Sequence, residues 1–104
     1  MRIFEFNQLT EQLDRMESDM IERAEPGTPG LLLDYENNQG QRNQFKVINI
    51  SSSPYNGCFE ADCLSDYRQT ELEDRFGIYD SDLAVSSHRT FKIANIITAK
   101  IIVT

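Results

Sequence analysis

The sequence predicts an α+β domain that is mainly β, with one helix at its N-terminus. Two patterns favour this class: residues 7–25 are amphipathic, and about five short segments after them alternate apolar and polar residues between turn-forming residues. Because 104 residues suffice for one modest core and not for two, we expect a single domain. A helix followed by short antiparallel strands is typical of a small SH3-like barrel.

The domain divides into four parts where these patterns change. They are an N-terminal amphipathic helix (1–25), the first three strands (30–64), an acidic helical insertion (65–88) and a closing hairpin (89–104).

The predicted helix carries its apolar residues at helical spacing. The stripe consists of Phe6, Leu9, Leu13, Met16, Met20 and Ala24. Asn7 is the expected N-cap, and the proline- and glycine-rich segment 26–30 ends the helix. We expect the stripe to pack on the domain's own core. The alternative is a helix that binds a partner or a second copy of the chain.

Three strands are expected next, at 31–36, 45–50 and 57–64, with a turn at 37–41 between the first two. In the third strand Cys58 and Cys63 are five residues apart, so they should point to opposite faces and form no disulfide. With a single histidine, no set of zinc ligands is expected.

The insertion and the closing hairpin differ sharply in charge. Residues 60–82 contain eight acids and two bases, whereas residues 83–104 contain three bases and no acid, in a chain of net charge −7. Thr70 to Glu73 has the form of a capping box, which predicts a short acidic helix. The hairpin should bend near Asn95 or Thr98 and end in a strand at 99–103.

Composition excludes some classes of protein. A strongly negative chain is unsuited to nonspecific nucleic-acid binding, although its three C-terminal cations are compatible with a small positive site. No apolar run is long enough to span a bilayer, and the N-terminal segment lacks the apolar part of a signal peptide, so we expect a cytoplasmic protein that contacts no membrane. No cofactor is implied.

Four segments of the chain, in order, resemble the landmarks of a WYL domain. They are residues 33–40, 46–48, 57–63 and 89–96, and the similarity covers about residues 30–104. The chain departs from the family where Asn95 replaces a basic residue and where the link between the third strand and Arg89 is long. The resemblance implies a regulatory, ligand-sensing SH3/Sm-like barrel that binds nucleic acid or a small anionic ligand through basic residues.

Carried over by position, Arg89 and Lys92 are the principal ligand-binding candidates, followed by Lys46 and by Tyr35 as a stacking or hydroxyl partner. The alternative is that Tyr35 is a core residue and that Arg89 pairs with Glu60 or Asp62. Glu60 and Asp62 share a strand face, but without other site groups they predict a solvated face or ion pairs rather than acid/base catalysis. No sequence motif supports an enzyme.

A second function comes from a different class of protein. The acidic segment, with Glu71, Glu73 and Asp74, predicts an interaction module or inhibitor, of a kind that phages or mobile elements encode, which docks on a nucleic-acid-handling protein. The sequence leaves the oligomeric state open and is compatible with a homodimer.

Overall fold

The computed structural model describes residues 1–64 and 85–104. Over those residues the chain forms one helix, five strands and a 3-10 turn, which confirms the predicted α+β class with its N-terminal helix. The elements are α1 (Ile3–Glu22), β1 (Pro29–Glu36), β2 (Arg42–Ser52), β3 (Cys58–Leu64), β4 (Val85–Lys92), the 3-10 turn (Ile93–Asn95) and β5 (Ile96–Val103). The acidic insertion and its candidate residues Glu71, Glu73 and Asp74 lie outside the described residues.

Helix α1 packs its apolar stripe onto the sheet, as the spacing predicted. Phe6, Leu13 and Met20 are buried, and the Phe6 ring stacks on Phe59 of β3 with centroids 4.4 Å apart. The helix begins at Ile3, so its N-cap is Arg2 rather than Asn7. The chain leaves the helix after Glu22, which is why Ala24, the last predicted member of the stripe, is exposed.

Strands β1 to β4 form an antiparallel meander, and β5 joins it beside β1. The order across the sheet is β4-β3-β2-β1-β5, and every neighbouring pair is antiparallel. Leu31 of β1 is in register with Val47 of β2, and Val47 with Cys63 of β3, so these three side chains share the face that α1 covers. Cys58 lies half-buried on the other face, as alternation predicted.

The prediction of a closing hairpin at 89–104 is wrong, because β4 and β5 do not pair with each other. β4 pairs with β3 and β5 pairs with β1, which places them at opposite edges of the sheet. The 3-10 turn carries the chain from the β4 edge of the sheet to the β5 edge. Ile93 within the turn and Ile96 directly after it are buried in the core, which fixes this connection in place. The chain therefore bends near Asn95, as predicted, but continues to a different partner. Residues 85–88, assigned to the insertion, belong to β4.

The sheet is strongly bent but open over the described residues. Asn49, at φ 53°, lies where the β2–β3 register shifts. Bending brings Phe91 of β4 within 5.3 Å, centroid to centroid, of both Tyr35 on β1 and Phe45 on β2. The edges β4 and β5 remain unjoined, so the closed barrel expected from the sequence is not established.

The core lies between α1 and the concave face of the sheet. Leu31, Leu33, Val47 and Ile96 are its most completely buried large side chains. Within the described residues, no helix is both long enough and apolar enough to cross a membrane.

Candidate functional site

Three connections of the bent sheet line a cleft of about 540 Å³. They are the β1–β2 turn, the β2–β3 loop (53–57) and the 3-10 turn. We call this the Lys92 cleft and define it by six of its lining residues: Tyr35, Asn38, Tyr55, Asn56, Lys92 and Asn95.

The β1–β2 turn is built by Asn37, whose side-chain oxygen accepts hydrogen bonds from the backbone N–H groups of Gln39 and Gln41, each at 2.9 Å. Gly40, at φ 80°, supplies the left-handed residue that closes this turn. As a result Asn38 faces the 3-10 turn, where its side-chain oxygen accepts a hydrogen bond from Asn95 Nδ2 at 3.2 Å.

The β2–β3 loop is held by its own hydrogen bonds and by one to the 3-10 turn. Ser53 Oγ accepts from the N–H of Tyr55 at 3.1 Å, and the Tyr55 carbonyl accepts from the N–H of Cys58 at 3.2 Å. The carbonyl of Gly57 accepts from the N–H of Ile93 at 2.9 Å. This last bond fixes the loop, and with it Tyr55 and Asn56, beside Lys92 and Asn95.

Tyr35 connects the aromatic cluster of the core to the cleft. Its ring packs edge-on against Phe45 and Phe91, and its hydroxyl accepts hydrogen bonds from the backbone N–H of Lys92 at 3.0 Å and from Asn95 Nδ2 at 3.4 Å. Tyr35 is therefore both a packed residue and a polar group of the cleft, which combines the two roles that the sequence left as alternatives.

Lys92 is the cation of this cleft. It lies opposite Cys58 on the outer face of the sheet, is exposed, and within the described residues has no carboxylate oxygen within 4.0 Å of its ammonium group. The lining of the cleft, taken over the described residues, includes no Asp or Glu. A cation without a paired carboxylate at a cleft mouth is free to meet an anionic ligand.

The structure does not bring Arg89 to the same surface. Arg89 is in register with Ala61, which is buried on the inner face, whereas Lys92 three residues later is on the outer face. The Arg89 guanidinium lies 5.4 Å from the centroid of the Phe45 ring, and its Nε donates to Ser87 Oγ at 3.1 Å. Arg89 thus packs over the aromatic cluster, so the two principal candidates, Arg89 and Lys92, do not form one basic surface.

Lys46 is also separated from the cleft. It is in register with Leu32 on β1 and is exposed on the outer face. Its neighbour Val47 pairs with Cys63, near the end of β3 opposite Cys58 and Lys92. At about 3.3 Å per residue, five to six residues of strand separate the two lysines by roughly 17 to 20 Å.

Glu60 and Asp62 pair with His88, not with Arg89. Asp62 Oδ1 lies 2.7 Å from His88 Nδ1, and Asp62 Oδ2 accepts from Asn49 Nδ2 at 2.9 Å. Glu60 Oε1 is 3.9 Å from His88 Nε2. The Asn49 and His88 hydrogen bonds lower the pKa of Asp62, and the Asp62 hydrogen bond, aided by the charges of Asp62 and Glu60, raises the pKa of His88.

Sequence reasoning found two of the cleft residues and missed four. Tyr35 and Lys92 were candidates. Asn38 was assigned to a turn, Tyr55 and Asn56 to the loop after the second predicted strand, and Asn95 to a bend, at a position where the family has a basic residue. The sequence did contain a signal for Tyr55. It is an aromatic residue in a loop of small polar residues and glycine, where no strand face is available to bury its ring, and such a position favours an exposed binding residue.

Comparison with protein-family models, with curated proteins and with solved structures found no match to this chain. Among the described residues no group of three or more His, Cys, Asp or Glu is arranged to hold a metal ion. The chemistry of the cleft is therefore the basis for assigning a function.

Proposed function

We propose that this chain is a non-enzymatic, WYL-like regulatory module that senses nucleic acid or a small anionic ligand, and that the ligand binds in the Lys92 cleft. The observation that carries the proposal is that Lys92, whose backbone N–H donates to the Tyr35 hydroxyl, has no carboxylate partner among the described residues and lies in a cleft whose described lining has no carboxylate. The chain has 17 acids and a net charge of −7, so a cleft lined by a cation and by no described carboxylate differs in charge from the protein as a whole.

A second, larger concavity has the opposite character. The groove between α1 and the β2–β3 loop has a volume of about 750 Å³, and its charged lining residues among those described are Asp14 and Glu17. An anion entering it would meet like charge, which favours the Lys92 cleft as the ligand site.

The proposed architecture remains a half-open SH3/Sm-like barrel. Support comes from the strand order β4-β3-β2-β1-β5, from the 3-10 turn that joins β4 to β5, and from the hydrogen bond that links Tyr35 at the end of β1 to Lys92 at the end of β4. In such a barrel the cleft is lined largely by turns and loops, which supply binding residues on a rigid scaffold.

The test is a charge reversal at Lys92 with a matched control. Lys92→Glu should weaken binding of a short single-stranded oligonucleotide about tenfold or more, because a charge-assisted hydrogen bond is replaced by repulsion. Lys100→Glu makes the same change at an exposed position of β5, in register with Leu32, and should change affinity less than about twofold. Fluorescence anisotropy at two salt concentrations measures both.

Equal weakening by Lys92→Glu and Lys100→Glu would show a diffuse charge effect and would contradict the proposed site. Arg89→Glu and Lys46→Glu extend the comparison to the other two predicted cations. Because Arg89 lies on the inner face and Lys46 lies roughly 17 to 20 Å from Lys92 along the strands, we expect each to behave more like Lys100→Glu than like Lys92→Glu.

The alternative function is an acidic interaction module or inhibitor that docks on a nucleic-acid-handling protein through Glu71, Glu73 and Asp74. The charge of segment 60–82 favours it. Neutralising these three residues should abolish capture of a basic partner and leave oligonucleotide binding at Lys92 unchanged. Unaffected capture would contradict this alternative.

A further inference from the structure

We infer that the ligand of the Lys92 cleft is a nucleotide whose unpaired base stacks on Tyr55 and whose phosphate meets Lys92. The inference rests on the proposed function and names the class of ligand. It depends on three observations: an exposed aromatic ring, a set of amide groups with donors and acceptors to spare, and one cation among the described lining residues.

Tyr55 is the exposed aromatic ring. Tyr55 is 68% exposed and lines the cleft, although it belongs to the loop fixed by the Ser53, Cys58 and Gly57 hydrogen bonds. A flat ring that is open to water on a loop whose backbone is hydrogen-bonded is suited to stacking, since every nucleobase has a π-face.

The amide groups of the cleft have donors and acceptors to spare. Asn95 Nδ2 donates to both Tyr35 and Asn38, and these bonds leave Asn95 Oδ1, Asn38 Nδ2 and the Tyr35 hydroxyl hydrogen without a partner among the described residues. Asn56 adds a further amide side chain to the lining formed with Asn38 and Asn95. A mixture of donors and acceptors matches the edge of a nucleobase, whereas a phosphate chain accepts hydrogen bonds and donates none.

The single cation limits how much a long phosphate backbone can contribute. Lys92 supplies the positive charge of the cleft, while the outer face beyond it carries Glu60 and Asp62 next to His88. Affinity gained from successive phosphates requires successive cations close together, and among the described residues that line the cleft Lys92 is the one cation. The base must therefore supply a large part of the binding free energy, and a paired base in a duplex would not expose its edge and face to the cleft.

The nucleotide can come from two sources, a free nucleotide or a single strand, and both present the same base and phosphate. The experiment therefore measures five ligands of matched label: a nucleoside monophosphate, a short single strand, the same strand with abasic sites, the duplex, and inorganic polyphosphate. Each is titrated against the full chain and its variants by anisotropy or by competition with the labelled single strand.

We expect the full chain to bind the single strand roughly tenfold or more tightly than the abasic strand, the duplex or polyphosphate. Tyr55→Ala should remove this preference, whereas Tyr55→Phe, which keeps the ring, should preserve it. Because Tyr55 is exposed, both variants should unfold at nearly the same temperature as the parent chain, and thermal unfolding checks that they fold. Binding of the free nucleotide with the same dependence on Tyr55 identifies the mononucleotide as a sufficient ligand.

The outcomes separate this inference from the function on which it rests. If polyphosphate and the abasic strand bind as well as the normal strand, with full dependence on Lys92 and none on Tyr55, the base-stacking inference is overturned and the anion site stands. If no ligand shows dependence on Lys92, both are overturned. Equal binding of duplex and single strand also overturns the requirement for an unpaired base.

Discussion

At the scale of single residues, the cluster of Asn49, Asp62 and His88 joins three strands on the outer face. Asp62 accepts from Asn49 on β2 and pairs with His88 on β4, and both bonds stabilise the charged carboxylate. His88 faces Asp62 and Glu60, so its imidazolium is stabilised in turn. These pairs explain why the carboxylates of β3 leave Arg89 and Lys92 without a carboxylate partner among the described residues.

His88 should titrate above its ordinary pKa of 6.5, because Asp62 bonds to its ring nitrogen. The chain contains one histidine, so its ring proton resonances can be followed by NMR without assignment of others. Asp62→Asn should move the midpoint back towards 6.5, and Glu60→Gln, which removes a more distant charge, should move it less. A midpoint at or below 6.5 in the parent chain would contradict the pairing.

The same pair predicts a pH dependence of stability. The His88 contribution is complete below pH 6.5 and is lost as pH rises through the raised pKa, whereas the Asp62 contribution is present above its ordinary 3.8 and is lost as pH falls through the lowered pKa. The destabilisation caused by His88→Gln should therefore be largest between about pH 4 and 6 and shrink towards pH 8.

At the scale of elements, Gly30 shows how closely β1 and β2 pack. A Cβ added at Gly30 would meet the carbonyl oxygen of Val47, and would lie 2.9 Å from Ile48 Cγ2. A backbone carbonyl within a sheet ladder cannot move aside without loss of pairing, so the glycine is required by space rather than by its φ angle.

Gly30→Ala should therefore destabilise the chain by about 1–3 kcal/mol, measured by urea unfolding. Gly40→Asn is the matched control. Gly40, at φ 80°, has no atom within 4 Å of an added Cβ, and asparagine tolerates the left-handed region, so the cost should stay below about 1 kcal/mol. Equal losses for the two variants would contradict the packing argument.

Element prediction from sequence succeeded where pairing is local and failed where it is not. Alternation located β1, β2 and β3, because each carries its own pattern and the turns between them are short. It could not show that Ile96–Val103 pairs with β1 instead of β4, since apolar residues on either face are compatible with both partners. The cleft was missed for the same reason: Asn38, Tyr55 and Asn95 are brought together only by the fold.

At the scale of the whole molecule, the helix and the bent sheet share one core. Phe6 of α1 is 4% exposed and stacks on Phe59, which in turn stacks on Phe91 at 5.3 Å. The N-terminal ammonium of Met1 also donates to the carbonyl of Ile96 at 2.7 Å, which ties the start of the chain to β5. The helix is therefore an internal part of the domain, and its loss should unfold the sheet with it.

A pair of phenylalanine variants tests this integration. Phe6→Ala should cost about 3–5 kcal/mol, because it removes a buried ring and leaves a cavity beside Phe59. Phe4→Ala makes the same chemical change two residues earlier on the same helix, where the side chain is 55% exposed, and should change stability by less than about 0.5 kcal/mol. Urea unfolding followed by far-ultraviolet circular dichroism and by tyrosine fluorescence should give one coincident transition for the parent chain. Separate unfolding transitions for helix and sheet would contradict a shared core. A loss of stability that is larger for Phe4→Ala than for Phe6→Ala, and that depends on protein concentration, would indicate that the helix packs on a partner or on a second copy of the chain.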